Sequence, residues 1–327
     1  MTAIPDTERP VRRLSLRGLN FAIAIFVVLY AVIAVLQPNY LEATLFMNFL
    51  RRAAPLVILA CGQLYVILSG GFDLSMGAVV TLVVLAASML IGGDPQMTWP
   101  VIAALYAMGL AVGLANGIIV AFLKVPSIIA TLGTMLLVNG LALAWSGGAP
   151  RGDLPDNFRA LGRLVLRDVP LVGTLPVAVI VLAGATLLAG WGLHRTAYGK
   201  RLLAVGDNPR AAELAGVPVK PTRISAFVVS ALAAVTAGIL IGGFSGVSVN
   251  AGRGLELQAI AACVIGGAQL LGGRGSVVGA LFGALSLFAL FTLLNLLGLP
   301  QALRDSLQGV ILIAAVGASV LRHRRST

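Results

Sequence analysis

Long apolar stretches alternate along the chain with short polar or glycine-rich segments. A helix that crosses a membrane needs roughly 17–25 mostly apolar residues, and stretches of about that length recur from residue 20 to residue 321. We therefore predict an all-α fold, a polytopic transmembrane helical bundle of about ten spans. The predicted spans are 20–37, 54–70, 75–92, 98–121, 128–146, 171–193, 224–243, 257–272, 276–297 and 302–321.

Two adjacent charges, Arg51 and Arg52, stand immediately before the second predicted span. Charges are costly inside hydrocarbon, so they are rarely found there without a partner. We expect these residues to lie on an interfacial helix over 41–52, from which their long side chains reach the polar surface.

Basic residues collect in segments that an even number of spans places on one side of the membrane. They are Arg9, Arg12, Arg13, Arg17, Lys124, Arg195, Lys200, Arg201, Arg210, Lys220, Arg223, Arg322, Arg324 and Arg325. Short loops rich in Lys and Arg face the cytoplasm. The predicted divisions are a cytoplasmic N-terminal segment 1–19, a transmembrane domain 20–322 with a cytoplasmic loop 194–223 and an outer segment 147–170, and a cytoplasmic tail 323–327.

Composition agrees with a membrane protein. Hydrophobic residues make up 58% of the 327 residues and charged residues 11%, and the mean hydropathy is +0.98. A soluble domain could not bury that much apolar surface, so we expect membrane lipid around the bundle. The net charge of +11 follows from the topology, and no aromatic-basic patch indicates a nucleic-acid partner. Cys61 and Cys263 lie in apolar spans, where we expect small core residues rather than a bridge or a metal site.

The central polar segment carries a short helix with its own end signals. Asp207 or Asn208 can cap its start, Pro209 suits the first helical position, and Gly216 suits the position just past its end. A capped polar helix on the basic, cytoplasmic side of a membrane protein indicates a surface on which another protein docks. This favours a protein partner over a lone pore.

Two parts of the chain resemble each other when the sequence is shifted by about 200 positions. Residues 60–78 and 262–280 each predict a helix, a glycine pair and a second helix. Paired interruptions in corresponding halves are typical of a transport pathway, although a tight turn between helices explains Gly272-Gly273 equally well. Glycines also recur every four residues, which predicts close helix packing. They are Gly109, Gly113 and Gly117, and Gly275, Gly279 and Gly283.

A few polar groups are predicted at or near membrane depth, where they tend to face a cavity or another helix. They are Gln63, Asp73, Ser75, Asn116, Asn139, Gln258 and Asn295, and Gly71 lies beside them at the first break. Except for Asp73 they are neutral, which suits an uncharged polyhydroxylated solute; each could instead be an interhelical hydrogen bond. For Asp73 we favour a cap on the helix that starts near Ser75 over direct contact with the solute.

Catalytic motifs are absent from the sequence. There is no HExxH, GxSxG or GxxxxGK[ST], and Gly199-Lys200 is followed by Arg201 and lacks the upstream glycine. The chain is therefore expected not to be an enzyme and not to bind ATP through a P-loop.

Four segments resemble the permease subunits of bacterial ABC importers, in the branch that includes the ribose, xylose and autoinducer-2 permeases. They are ILSGGFDLSMGAV at 67–79, ANGIIVAFLKVPSIIATLGTM at 115–135, YGKRLLAVGDNPRAAELAGVPV at 198–219, and LELQAIAACVIGGAQLLGGRGSVVGALFGAL at 255–285. Branched-chain amino-acid permeases share the general layout but generally lack the GxDLSxG string. Phe72 departs from the sugar branch, where an aliphatic residue is common.

The resemblance implies a multi-pass protein of the bacterial inner membrane that works by alternating access. It implies three partners: a cytoplasmic ATPase subunit that binds ATP, a periplasmic solute-binding protein, and a second permease subunit, identical or paralogous. It also implies that the segment 206–216 is the coupling helix that docks on the ATPase. Its residues are Gly206, Asp207, Asn208, Pro209, Arg210, Ala211, Glu213, Leu214 and Gly216.

The expected function is therefore ATP-driven import of a small neutral polyhydroxylated solute, most simply a monosaccharide. The alternatives are an ion-coupled secondary transporter of a small polar solute, with Asp73 and Glu256 as its carboxylates, and a passive channel. Neither alternative needs a capped cytoplasmic helix. No cofactor is expected in this chain.

Overall fold

The computed structural model describes residues 16–170, 172–300, 302–304, 306–307, 309–310, 313 and 317. Helices account for most of this part of the chain. They are α1 Leu16–Leu36, α2 Ala43–Leu68, α3 Met76–Ile91, α4 Thr98–Phe122, α5 Ser127–Ser146, α6 Asp156–Arg163, α7 Val177–His194, α8 Ala197–Asp207, α9 Pro209–Leu214, α10 Val219–Ser245, α11 Leu255–Ile265 and α12 Val277–Leu296. Two short 3₁₀ helices cover Pro38–Leu41 and Pro95–Met97.

The predicted helical membrane bundle is confirmed. Six helices are long and apolar enough to cross a membrane, and three shorter apolar helices accompany them. All nine coincide with predicted spans, namely α1, α2, α3, α4, α5, α7, α10, α11 and α12. The tenth predicted span, 302–321, and the predicted terminal segments 1–19 and 323–327 lie largely or wholly outside the described residues.

Residues 41–52 do not form the separate helix that we predicted. One continuous helix, α2, runs from Ala43 to Leu68 and contains Pro55. Ala53 and Ala54 are fully buried, so the helix enters the core without an interruption between its charged and apolar parts. Pro55 removes one backbone hydrogen-bond donor from α2. Alanine has the highest helix propensity, so Ala53 and Ala54 favour a helix that continues through this position.

The outer segment contains structure that the apolar pattern did not predict. After α6, strand β1 (Val165–Val169) pairs antiparallel with strand β2 (Gly173–Pro176), so α7 begins at Val177 rather than at the predicted 171. At the start of this segment, the backbone amide of Leu154 and the guanidinium of Arg159 lower the pKa of the Asp153 carboxyl. In the part of the chain that the structure describes, the outer segment thus adds a small β-hairpin to the α-helical bundle.

Helices α2 and α10 form the centre of the bundle, and α10 packs against α2, α3 and α4. The predicted glycine stripe on α4 faces α10. A Cβ added to Gly113 would lie 2.8 Å from Val228 Cα, and one added to Gly117 would lie 2.7 Å from Ile224 Cα. Glycine at these positions therefore lets the two helix backbones approach closely, as the spacing predicted.

Candidate functional site

The break between α2 and α3 is an extended segment inside the bundle, and neighbouring side chains bind its backbone. Ser127 Oγ accepts the Phe72 amide at 3.0 Å, and Thr131 Oγ1 accepts the Leu74 amide at 3.0 Å. Both hydroxyls come from the first turns of α5. Because an unpaired buried amide is costly, these two bonds explain how a non-helical segment is tolerated here.

Gln63 fixes the same segment from the α2 side. Its side chain is fully buried. The side-chain amide is oriented so that its nitrogen donates to the Asp73 carbonyl at 3.1 Å and its oxygen accepts the Asp73 backbone N–H at 3.3 Å. This pair of bonds imitates the pairing of two strands. The predicted polar residue on α2 therefore holds the backbone of the break.

The Asp73 carboxylate is the centre of the buried polar cluster. It is 1% exposed, and its Oδ1 accepts the Ser75 amide at 2.9 Å and the Ser75 hydroxyl at 2.6 Å. Its Oδ2 accepts the hydroxyl of Ser230, on α10, at 2.6 Å. The predicted cap at Asp73 is wrong: Ser75 occupies the N-cap position of α3 and makes no side-chain cap bond, and Asp73 accepts the amide of Ser75 itself, in the turn before the helix. It also ties that helix start to α10, a role that the sequence did not indicate.

Asn116 extends the cluster to α4 and α5. Its Nδ2 donates to Ser75 Oγ at 2.9 Å, and its Oδ1 accepts the Thr134 hydroxyl at 2.6 Å. Asn116 is fully buried. Four of the predicted polar residues, Gln63, Asp73, Ser75 and Asn116, therefore meet in one hydrogen-bonded cluster, which we call the break cluster together with Ser127, Thr131, Thr134 and Ser230.

Two cavities are lined by residues at the two ends of the break. Cavity A, of about 920 Å³, lies between α9, the α4–α5 turn and the start of α10, and Gly71 lines it. Cavity B, of about 420 Å³, lies between α3, α5 and the 249–256 segment, and Gly77 lines it. Residues 72–76 connect these two glycines, so one end of the break lines cavity A and the other end leads to cavity B.

The remaining predicted polar residues lie elsewhere. Asn139, on α5, lines cavity B. Gln258 is half-buried on α11, and it lines neither cavity A nor cavity B. Asn295 is exposed near the end of α12, where Arg304 Nη1 donates to its Oδ1 at 2.7 Å. The structure thus does not bring Asn295 to the break, because it lies one residue before the end of α12, next to Arg304.

The central polar segment forms two helices, not one. Thr196 caps α8 by accepting the Gly199 amide at 3.3 Å. Asn208, one of the two predicted cap residues, caps α9 by accepting the amides of Arg210 and Ala211 at 3.1 and 3.0 Å. Pro209 opens α9, and Gly216 follows it with a φ of +79°. The predicted helix therefore exists, preceded by α8, which the sequence did not separate.

The end of α8 touches both glycine breaks. A Cβ on Gly206 would meet the Leu68 carbonyl and the Gly273 amide, which are themselves joined by a 3.1 Å hydrogen bond. A Cβ on Gly272 would lie 2.8 Å from the Gly206 carbonyl oxygen and 3.0 Å from the Gly70 amide. Backbone thus packs on backbone where α8, the first break and the second break meet. We call this contact the glycine junction, defined by Gly70, Gly206, Gly272 and Gly273.

Charge is concentrated around cavity A. Its lining includes four basic residues and one carboxylate, namely Lys124, Arg210, Lys220, Arg223 and Glu213. Lys220 Nζ lies 4.6 Å from the centre of the Phe122 ring, a cation–π contact that holds this charge at the end of α4. Leu214, at the end of α9, is 84% exposed, so α9 presents an apolar side chain at its free surface.

Comparisons with known proteins agree with this architecture. Residues 45–316 match the family described as branched-chain amino acid transport system / permease component. Among curated proteins, the autoinducer 2 import system permease protein LsrC of Enterobacter sp. (strain 638) is 36% identical over 305 residues, which is 91% of this chain and 87% of that protein. The protein of that name from Escherichia coli (strain K12 / DH10B) is 34% identical over 296 residues, 90% of this chain and 84% of that one. No solved structure matches significantly.

Family membership has consequences for class, location and partners. Members are permease components, so the chain is a transport subunit rather than an enzyme. With six helices able to span a membrane, it is a multi-pass protein of the inner membrane. Importers of this kind also require an ATPase subunit and a periplasmic binding protein. The match across most of its length means that this chain belongs to the family of permease components of the branched-chain amino acid transport system type.

Proposed function

We propose that this chain is the permease subunit of an ATP-driven importer for a small, neutral, polyhydroxylated solute of about monosaccharide size. Two relatives are named for import of autoinducer 2, a fact that concerns those proteins and supports the same solute class here. The observation that carries the proposal is the break cluster between cavities A and B.

The chemistry of that cluster suits an uncharged solute. Apart from Asp73 its side chains are amides and hydroxyls, and the Asp73 carboxylate already accepts three hydrogen bonds. A sugar that passes beside such groups meets donors and acceptors but no free charge that would hold it. Weak contacts are sufficient where a separate binding protein supplies the affinity.

The route we propose runs from cavity B, past residues 72–76, to cavity A. Alternating access then requires that the break cluster open and close as the ATPase moves α9. The proposed coupling surface is the segment 206–216, and its exposed Leu214 supports a docking partner. We also propose that a second permease subunit completes the pathway and that lipid covers the exposed apolar side chains of α7, such as Leu187 and Leu188.

The ion-coupled alternative has less support. It requires Asp73 or Glu256 to bind and release a cation, yet the Asp73 oxygens are occupied by Ser75 and Ser230. Within the described residues there is also no group of three or more His, Cys, Asp or Glu that could hold a metal ion. Family membership favours coupling to an ATPase.

The test is uptake by the complete system, formed by the permease with its ATPase subunit and its periplasmic binding protein. We expect uptake of a neutral sugar from a panel containing ¹⁴C-labelled D-ribose, D-xylose and D-glucose, dependent on ATP and insensitive to proton or sodium ionophores. Uptake that continues without the ATPase and stops with an ionophore would support the alternative.

The coupling role of α9 is tested in the same system. Glu213→Arg, or Arg210→Glu combined with Leu214→Asp, should abolish ATP-dependent uptake while the protein still inserts, because both change the surface that docks. Glu42→Gln, at an exposed position far from α9 in the sequence, is the control and should transport normally. Normal uptake by the α9 variants would remove this helix from the coupling role.

A further inference from the structure

Cavity B contains polar side chains that the break cluster does not use. They are Asn139 on α5, Asn250 and Arg253 in the loop before α11, and Glu256 in the first turn of α11. Sequence reasoning placed only Asn139 on the solute route. Asn139 lies well inside a predicted span, yet its side chain is exposed on α5.

Most of the remaining wall is apolar. Leu85, Met135, Leu143 and Val249 line the same cavity, and the one further polar side chain there, Thr81, accepts the Gly252 amide. A small-molecule site typically combines such a wall with a few convergent polar groups in a space of about 300–1,000 Å³, and cavity B measures about 420 Å³. Its size and mixed lining are therefore those of a site for one small solute.

The polar groups supply both donors and acceptors without net charge. The Arg253 guanidinium only donates, the Glu256 carboxylate only accepts, and the amides of Asn139 and Asn250 do both. A hydroxyl group is itself a donor and an acceptor. The Glu256 carboxylate already accepts the backbone amides of Gly254 and Glu256, and its oxygens have room for a further donor. A neutral solute with neighbouring hydroxyls can hydrogen-bond all four side chains, whereas an ion would meet one charge of the wrong sign.

The backbone that carries these groups is held against α3. The Gly252 amide donates to Thr81 Oγ1 at 3.0 Å. A Cβ on Gly77 would meet the Glu256 carboxylate and would lie 2.5 Å from the Gly252 carbonyl oxygen, so glycine at 77 allows this close approach. The 249–256 segment is thus seated on the helix that leads directly to the break cluster.

We propose that cavity B is a solute subsite in which Asn139, Asn250, Arg253 and Glu256 hydrogen-bond the hydroxyls of a neutral sugar before it passes the break. This inference rests on the proposed function, since it names where the imported solute binds. The subsite keeps the solute beside Gly77, at the end of the break that faces cavity B.

The direct test is protection of an introduced cysteine. The native Cys61 and Cys263 are buried, so Asn139→Cys and Asn250→Cys can be labelled selectively with a methanethiosulfonate reagent in the assembled complex. The probe is whichever panel sugar the wild-type system imports fastest, at 100 mM. We expect it to slow labelling at least about fivefold at both positions but not at Asn39→Cys, on the exposed 3₁₀ helix Pro38–Leu41.

Uptake variants provide the second measurement. Glu256→Gln should lower the uptake rate, per amount of inserted permease, at least about tenfold. The matched Glu42→Gln, at an exposed position outside cavity B, should leave both uptake and basal ATP hydrolysis at wild-type values. Equal labelling with and without the sugar at 139 and 250, or normal uptake by Glu256→Gln, would overturn the subsite. If the wild-type system imports none of the sugars, the proposed function fails instead, so the two failures are distinguishable.

Discussion

Replacing Asp73 tests whether its carboxylate acts by positioning the break or through its charge. Asp73→Ala removes the acceptor of three hydrogen bonds, from the Ser75 amide, the Ser75 hydroxyl and the Ser230 hydroxyl. Asp73→Asn keeps an oxygen for the two Ser75 donors and can donate to Ser230 Oγ. Asp73→Ser can still accept the Ser75 amide but is too short to reach α10.

The expected magnitudes follow from which groups lose partners. In Asp73→Ala, the Ser230 hydroxyl can turn to a carbonyl of its own helix, as Ser225 does to Pro221, but the Ser75 amide cannot. One buried unsatisfied amide and a small cavity together cost about 2–4 kcal/mol. Asp73→Asn should cost about 1 kcal/mol, because its hydrogen bonds persist without the charge, and Asp73→Ser should lie between the two.

The assay combines thermal unfolding of the purified permease in detergent with uptake by the complete system. We expect stability and uptake to fall in the order Asn, Ser, Ala. Ser230→Ala is the control, since it leaves Asp73 two of its three donors and should resemble Asp73→Asn. If Asp73→Asn and Asp73→Ala are equally inactive while both remain folded and inserted, the carboxylate charge itself is required and the positioning account is wrong.

The other predictions concern topology and the glycine junction. A thiol reagent added outside intact cells should label Asn157→Cys, in the outer segment, but not Ser326→Cys, because the basic segments place the tail in the cytoplasm. Labelling of Ser326→Cys without labelling of Asn157→Cys would contradict the topology. Gly206→Ala should impair uptake and destabilise the protein by about 1–3 kcal/mol, the usual cost of overpacking. The matched Gly190→Ala, where a Cβ meets no atom within 4 Å, should be neutral, and equal behaviour of the two variants would argue against the junction.

The helices were predictable because apolar run length dictates them. The hairpin was not, since VLRDV at 165–169 is too short to separate strand from helix by periodicity. The end of α11 also differed: its predicted span continued to 272, but Gly266 ends the helix and Gly267 adopts a φ of +83°. The glycine turn therefore ends α11 although the sequence after it is still apolar enough to have been included in the predicted span.

The sequence predicted most of the polar residues of the candidate site, but it did not predict which of them are hydrogen-bonded to one another. Rare polar residues in apolar spans stand out, so Gln63, Asp73 and Asn116 were found. Ser230 did not stand out, because a serine is unremarkable in a helix that also contains Ser225 and Thr236. It is 157 positions from Asp73, and only the packing of α10 on the break makes it a partner.

The glycine junction gives the internal resemblance a physical meaning. The resembling segments 60–78 and 262–280 lie side by side, since Cys263 Sγ contacts the Ala60 carbonyl at 3.2 Å and the Gly273 amide binds the Leu68 carbonyl. Gly206 packs on that last bond, and α9 begins three residues later. If α9 is the coupling helix, as we propose, its movement would reach both breaks through these backbone contacts, without flexible side chains between them. The first break would then transmit the movement to Asp73, three residues beyond Gly70, and so to the proposed route between cavities A and B.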